Sequence, residues 1–223
     1  MIEEKRPKLG VIIPLANEEE TVEKLLTEIL QHLLPQDSIY CVFDNACKDS
    51  SLALVEKFAL NEPRVVAVWA PENRCVVDAY FAGYRHAIAN DCQWILEMDG
   101  GFSHLPNQIP RFIKAMENGY DFAAGSRYVE GGVTNGRFSR HFISKGGTIA
   151  TNLLTGTKMK DMTSGFECFN RETLQYVLAK GVKSRAHFFQ TEIRHMLHHK
   201  NWVEIPITYS DPSKSVGPGV LKD

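Results

Sequence analysis

No CxxC pair occurs among the five cysteines, Cys41, Cys47, Cys75, Cys92 and Cys168. Their odd number and scattered spacing argue against a disulfide framework or a zinc site and for free thiols in a reducing cytosol. Long hydrophobic runs are missing as well, since no stretch reaches the roughly 18 apolar residues of a membrane span. The opening MIEEKRPKLGVIIPLANEEE holds one short apolar segment that runs into acidic residues, the pattern of neither a signal peptide nor a span. An excess of one charge is also lacking. Lys plus Arg is 25 against Asp plus Glu at 27, a formal net charge of -2, so no global field recruits nucleic acid or an anionic membrane. Any basic site must be local. Repeats, low-complexity segments and an internal linker are absent, and 223 residues with 43% hydrophobic content suit one domain with a real core.

What is present is an alternation of strand and helix patterns. Residues 9–13, LGVII, form a short apolar run stopped by Pro14, which predicts a buried strand. Val22, Leu25, Leu26, Ile29, Leu30, Leu33 and Leu34 then recur on one helical face, with Glu18, Glu19 and Glu20 near its start and Pro35 at its end. A second strand at 39–43 runs into a polar turn that can cap the next helix, whose buried side is Leu52, Leu54, Val55 and Phe58. Strand 65–69, helix 76–89 and strand 94–98 follow. The pattern predicts an α/β fold with a mostly parallel sheet flanked by helices. Beyond Pro106 the reading is helix at 109–118, extended chain at 121–124, a glycine-rich loop at 125–136 and helix at 137–154. Extended chain at 161–169, helices at 171–180 and 187–199 and a strand at 203–207 complete it. The final SDPSKSVGPGVLKD reads as loop or tail.

The stretch WILEMDGGFSHLP, Trp94 to Pro106, stands out because an apolar strand ends abruptly in Asp99 and two glycines. Alternation puts Glu97 and Asp99 on one face. Gly100 and Gly101 let backbone approach whatever sits there, and ligands of parallel α/β sheets bind outside the carboxyl ends of strands. A strand followed by an ordinary Asp-Gly turn is the plainer alternative.

Four polar clusters, PLANEEE, DNACKDSS, MDGGFSHLP and GSRY with DMTSGF, recur in an order and spacing that resembles the family 2 glycosyltransferases of GT-A fold. Within them the likeness is to polyprenyl (dolichyl) phosphate mannosyl- and glucosyltransferases, over about residues 9–207. The resemblance implies one Rossmann-like GT-A domain, with a donor-nucleotide half at about 9–106, an acceptor half at about 107–207 and a tail at 208–223. It implies that Pro14, Ala16, Asn17 and Glu18 and the turn with Asp44, Asn45 and Asp49 hold the nucleoside of a GDP- or UDP-linked sugar. Asn73 and Arg74 fall where a loop approaches the donor, and Cys75 and Val77 stand where relatives often carry glycine. Asp99 matches the first aspartate of the family's DxD motif, with Gly100 beside it and Gly101 in place of the second aspartate. A single Asp99, helped by Ser103 or His104, would then bind Mg²⁺ or Mn²⁺ together with the diphosphate.

The same resemblance assigns the acceptor phosphate to Arg127, Arg140, Ser144 and Lys145, with Ser164 in the DMTSGF strip lining the cleft. From charge alone those cations read as a solvated face. Glu192 matches an acidic residue near the family's reaction centre, or is partly buried scaffold. His195, His198 and His199 have metal-like spacing but lack an intervening HExxH glutamate. The implied reaction moves a hexose, with inversion, to a polyprenyl phosphate that is already anionic, its second pKa being roughly 6. Alternatives are transfer to a carbohydrate hydroxyl, with Glu192 as base, and a noncatalytic nucleotide-sugar-binding subunit. The location implied is cytoplasmic, either free or peripheral at the cytoplasmic face of a membrane through lipid or a membrane partner protein. Oligomeric state is open, a homo-oligomer included.

Overall fold

The computed structural model describes residues 6–135, 138–186 and 188–210, with the backbone alone for 138–143. Its centre is a seven-stranded sheet whose order is β3-β2-β1-β4-β7-β5-β8. The strands are β1 (Leu9–Pro14), β2 (Ser38–Phe43), β3 (Val65–Trp69), β4 (Trp94–Glu97), β5 (Phe122–Ser126), β7 (Glu167–Asn170) and β8 (Trp202–Pro206). Within this sheet β7 runs antiparallel to both its neighbours, and every other pairing is parallel. The chain reverses order beside β1, where β1 pairs with both β2 and β4. Loops leaving the carboxyl ends of β1, β2 and β4 therefore converge.

Both faces of the sheet are covered, which is why its central strands read as continuous apolar runs. Alternation divides β1: Val11 and Ile13 pack toward α1 (Val22–Leu30) and α4 (Ile109–Glu117), meeting Leu25, Ile29 and Phe112. Ile12 points the other way, into a second core with Tyr80 and Tyr84 of α3 (Val76–Ala89), Leu174 of α6 (Arg171–Lys180) and Ile193 of α7 (Phe188–Leu197). The remaining helices are α2 (Ser51–Ala59) and α5 (Phe138–Thr155).

Three sequence expectations need correction. The first helix ends at Leu30 rather than at Pro35. Buried Asp37 explains the early stop, because its carboxylate accepts from Leu34 N at 2.7 Å and Leu9 N at 2.9 Å while pairing with Arg6. The strip 161–166 is loop rather than extended strand, with Asp161 accepting from Thr163 N at 3.1 Å, and strand begins at Glu167. Thr208 and Tyr209, expected to start a tail, form β9 (Thr208–Tyr209), paired in parallel with β6 (Val133–Thr134). Val133 N to Ile207 O at 2.8 Å and Asn135 N to Tyr209 O at 3.0 Å fasten that ribbon.

Candidate active site

The loops after β1 and β2 are stitched to each other. Asn17, at φ 61°, donates to Ala46 O at 3.2 Å and accepts from Lys48 N at 2.8 Å. Asp49 accepts from Glu19 N at 3.0 Å and from Ser51 N and Oγ, while Glu18 N donates to Ser51 Oγ at 2.7 Å. Burial opposes the charge on Asp49, but these hydrogen bonds outweigh it and hold the carboxyl below its ordinary range. The weld shapes one wall of a cleft of about 350 Å³, lined by Pro14, Ala16, Asp44, Asn73, Arg74 and Cys75 among others. Asp44 accepts from Ala46 N at 2.8 Å, an Asx turn. In the opposite wall the Asn73 side-chain nitrogen is buried without a partner, a donor available to a ligand.

Asp99 follows β4 by two residues. Gly100 fits there because a Cβ would stand 2.7 Å from Leu15 Cδ2, and Leu15 lines the cleft. Tyr80, buried on α3, donates its hydroxyl to Asp99 Oδ1 at 2.8 Å. His104 accepts from Asp99 N through Nδ1 at 3.1 Å, which fixes that nitrogen as unprotonated. Burial pushes the imidazole pKa down, against the pull of Asp99, and the ring stacks on Phe166 at 5.0 Å. On the far side lies Gly165: a Cβ there would be 3.3 Å from Asp99 Oδ1 and 2.4 Å from Gln190 Nε2.

A fully buried ionisable group underlies this floor. Glu97 faces Glu167 across the β4–β7 register, Tyr84 hydrogen-bonds Glu97, and Arg194 pairs with Glu167. Arg194 also donates to the carbonyls of Asp161, Gly125 and Ser164, so one guanidinium ties β5, β7 and the 161–165 loop together. Two carboxylates share one cation. Burial, then Glu167 and Asp99, push Glu97 well above the usual carboxylate range.

A second polar cluster begins beyond Gly165. Arg127 meets buried Asp161 through Nε at 2.8 Å and Nη2 at 2.9 Å. Its Nη2 also reaches Ser144 Oγ at 3.0 Å and Thr163 Oγ1 at 2.6 Å. The rings of Tyr128 and Tyr209 lie 5.2 and 5.4 Å from the guanidinium. Burial works against ionising Asp161, but Arg127 outweighs it and holds the carboxyl low. Lys145 is exposed and lines a neighbouring cleft of about 310 Å³ with Tyr128, Lys158 and Lys160.

Pro14, Ala16, Asp44 and Arg74 line the donor cleft; Asp99 and Gly100 are not among its lining residues, and Gly100 adjoins it through Leu15. Asn17, Glu18 and Asp49 are not among its lining residues; their side chains hold the loops instead. Asn45 is likewise turned away, donating to Pro71 O at 2.8 Å. Arg127 and Ser144 come together, and Ser164 is buried with its hydroxyl unpartnered. The Arg140 side chain lies outside the described residues. The Glu192 carboxylate is taken up by Lys183 N, Ser184 N and Ser184 Oγ, contacts that match the scaffold alternative for this residue. Gln190, two residues earlier, is the group that meets Gly165 beside Asp99. Sequence reasoning passed over Tyr80 and Thr163. The signal for Tyr80 was its spacing of four from Tyr84 on α3, which sets both hydroxyls on the face toward β4.

Among the described residues no group of three or more His, Cys, Asp or Glu converges as a metal cage. Ser103 is buried and Gly101 offers no side chain, so the protein contributes one carboxylate, 39% exposed, from Asp99. That donor set suits a hard cation completed by diphosphate oxygens and water, as for Mg²⁺ or Mn²⁺, rather than an all-protein site.

A nucleotide-sized cleft at the carboxyl edge of a mostly parallel sheet, with an aspartate at the end of its central strand, defines a GT-A type of glycosyltransferase fold. Solved structures agree on that fold. Glucosyl-3-phosphoglycerate synthase from Mycobacterium tuberculosis, in complex with Mn²⁺, UDP and phosphoglyceric acid, superposes with a TM-score of 0.67 at 14% identity, over 91% of this chain and 69% of that one. The mannosyltransferase PcManGT from Pyrobaculum calidifontis, in complex with GDP-Man and Mn²⁺, gives 0.65 at 16% identity, over 97% and 59%. The Glycosyl transferase family 2 model matches residues 10–178, and the chain belongs to that family. Curated relatives include polyprenol monophosphomannose synthase of Mycolicibacterium smegmatis, 32% identical over 90% of this chain and 77% of that protein. Undecaprenyl-phosphate mannosyltransferase of Micrococcus luteus is 30% identical over 89% of this chain and 82% of its own length.

Proposed function

We propose that this enzyme transfers a hexosyl group from a GDP- or UDP-linked sugar to a polyprenyl phosphate, with inversion at the anomeric carbon. The observation that carries the reading is the position of Asp99 between two polar sites. Through Gly100 and Leu15 it adjoins the donor cleft, and through Gly165 it adjoins the strip that holds Thr163, Asp161 and Arg127. The names of the curated relatives, polyprenol monophosphomannose synthase and undecaprenyl-phosphate mannosyltransferase, point to the same acceptor class.

Donor recognition falls to the cleft: Asp44 and the unpartnered Asn73 amide offer an acceptor and a donor to base or ribose, and Arg74 offers charge to phosphate. Asp99 would hold a divalent cation, which when bound neutralises the diphosphate leaving group. A phosphate acceptor is anionic at neutral pH and needs no base. Glu192 fits that economy. Burial raises its pKa, but three hydrogen bonds outweigh burial and keep the carboxyl below its ordinary range, a poor setting for the general base that a hydroxyl acceptor requires. Arg127, Ser144 and Thr163, with Lys145 nearby, would position the acceptor phosphate, the cation and arginine keeping two anions from repelling.

The test is transfer from radiolabelled GDP-mannose and UDP-glucose to a short-chain polyprenyl phosphate with Mg²⁺ or Mn²⁺. An acid-labile glycosyl phosphate lipid is the expected product. Donor binding without turnover on any prenyl phosphate would establish the noncatalytic reading instead, and transfer to free sugars alone would establish the hydroxyl acceptor.

A further inference from the structure

The carboxylate of Glu192 clamps the loop that joins α6 to α7. It accepts from Lys183 N at 2.9 Å, Ser184 N at 3.0 Å and Ser184 Oγ at 2.8 Å. Both ends of the loop are fixed as well. Gly181 closes α6 at φ 68°, and Phe189 at the start of α7 is buried with its ring 5.4 Å from that of Tyr80 on α3. A turn held this firmly presents its next side chain at a defined place. That side chain is Arg185, 72% exposed, whose Nη1 donates to Asp78 Oδ1 at 3.2 Å.

Asp78 lies in the first turn of α3, and its other oxygen accepts from Arg74 N at 3.0 Å. One carboxylate therefore holds two arginines side by side, Arg74 by its backbone and Arg185 by its guanidinium. Arg74 lines the donor cleft with Asn73 and Cys75. Apart from the bond to Asp78, neither guanidinium has a hydrogen-bond partner among the described residues. Charge in the loop runs one way, since between Glu172 and Glu192 the sequence carries Lys180, Lys183 and Arg185 and no acidic residue.

An exposed ion pair contributes little stability, so Asp78 serves to aim Arg185 at the edge of the cleft. Two planar forks beside a nucleotide-sized cleft suit a diphosphate, whose oxygens accept paired N–H bonds. The need for them is greater in this chain because Gly101 stands in place of a second aspartate. A cation resting on one protein carboxylate leaves more of the diphosphate charge to side chains.

We propose that Arg185 is a second donor-phosphate residue, acting with Arg74 on the diphosphate of the nucleotide sugar, and that Asp78 and Glu192 are its positioning residues. The proposal rests on the nucleotide-sugar reading of the cleft and adds to it the loop between α6 and α7. Glu192 then serves the donor, through the loop it holds, rather than the nucleophile.

Calorimetric titration with GDP and UDP in the presence of Mn²⁺ tests it, on Arg185→Lys, Arg185→Ala and Arg185→Glu beside the wild type. Affinity should fall in that order, by about tenfold for alanine and further for glutamate. The thermal midpoint should hold at the wild-type value, because the side chain is exposed. Raising salt should weaken the wild type more than the alanine variant, and affinity for the free nucleoside should not change. A loop that only packs would not sort its variants by charge. Glu192→Gln should reproduce part of the loss, and wild-type affinity in that variant removes its positioning role. Diphosphate affinity within about twofold of wild type for Arg185→Ala, or nucleoside and diphosphate affinities that fall together, overturns the proposal. A wild-type chain that binds neither GDP nor UDP overturns it along with the nucleotide-sugar reading. If the charge order appears but no prenyl phosphate is glycosylated, Arg185 keeps its place and the acceptor reading alone falls.

Discussion

Tyr80 aims Asp99: the tyrosine hydroxyl, buried on α3, donates to Oδ1 of the carboxylate at 2.8 Å. The ring is fixed by Phe189 at 5.4 Å and Tyr84 at 6.2 Å, so the bond comes from a side chain with little freedom to move. Tyr80→Phe keeps that packing and deletes the hydrogen bond. A hydrogen bond to a charged group contributes about 1.5 to 3 kcal/mol, so kcat/KM should fall roughly ten- to a hundredfold. Asp99→Asn should abolish transfer with the thermal midpoint preserved. Steady-state kinetics with saturating Mn²⁺ check both, and an unchanged rate for Asp99→Asn removes the carboxylate from the chemistry.

Glu97 and Glu167 make stability fall with rising pH. Burial pushes Glu167 from its usual 4.5 up to about 7, against the pull of Arg194, and burial, with Glu167 and Asp99, pushes Glu97 well above the usual carboxylate range. Each leaves one buried oxygen without a hydrogen-bond partner, Oε1 of Glu97 and Oε2 of Glu167. Folded-state pKa values above the unfolded ones mean that folding takes up protons between pH 4.5 and about 7, and stability declines as pH rises through that window. Glu97→Gln preserves an acceptor for Tyr84 and removes one titrating group. It should flatten the decline and stabilise the chain by about 1 kcal/mol at pH 8. Urea unfolding at pH 5, 6, 7 and 8 checks this; a variant with the wild-type slope refutes it.

Arg127 carries a structural duty that its sequence context conceals. It is paired with an Asp161 carboxylate of 0% exposure, and removing one partner of such a pair costs about 3 to 5 kcal/mol. Arg127→Ala should therefore lose most of that stability in urea titrations at pH 7, in addition to any loss toward the acceptor. Arg127→Lys should recover part, since an ammonium cannot span Asp161, Ser144 and Thr163 as a guanidinium does. A loss below about 1 kcal/mol for the alanine variant would show that the pair contributes little.

The sheet was legible in the sequence because β1, β2 and β4 are buried on both faces and stand as apolar runs against polar loops. Asp99 was legible for the same reason, as a carboxylate at the end of such a run. Long-range partners were not. Nothing local says that Asp37 will accept from Leu9, that Asn17 and Asp49 will weld two loops rather than line the cleft, or that Gln190 and not Glu192 will meet Gly165. Each depends on which face a side chain presents after helices dock. The facing of α5, with Thr148 buried and Ile149, Leu153 and Leu154 exposed, escaped for a different reason: its pattern of glycines, threonines and leucines is equally regular whichever face is turned inward, and burial alone decides.

Gly101 gives the sharpest test of how the cation is held. It stands where a second aspartate is absent, and its φ of 66° lies in the left-handed region, with Phe102 next to it at 61°. Aspartate visits that region more readily than most residues, so Gly101→Asp should fold with a penalty of about 1 kcal/mol. The added carboxylate would turn a one-carboxylate site into a two-carboxylate one, the arrangement in which Mg²⁺ or Mn²⁺ depends less on the nucleotide for its ligands. Calorimetry should show Mn²⁺ binding about tenfold tighter or more in the presence of nucleoside diphosphate, and measurable binding in its absence. Gly101→Asn separates charge from backbone strain, because it imposes the same left-handed conformation without a carboxylate. If the Asp and Asn variants bind Mn²⁺ alike, position 101 does not face the cation, and Asp99 must carry the diphosphate site without room for a second protein ligand there.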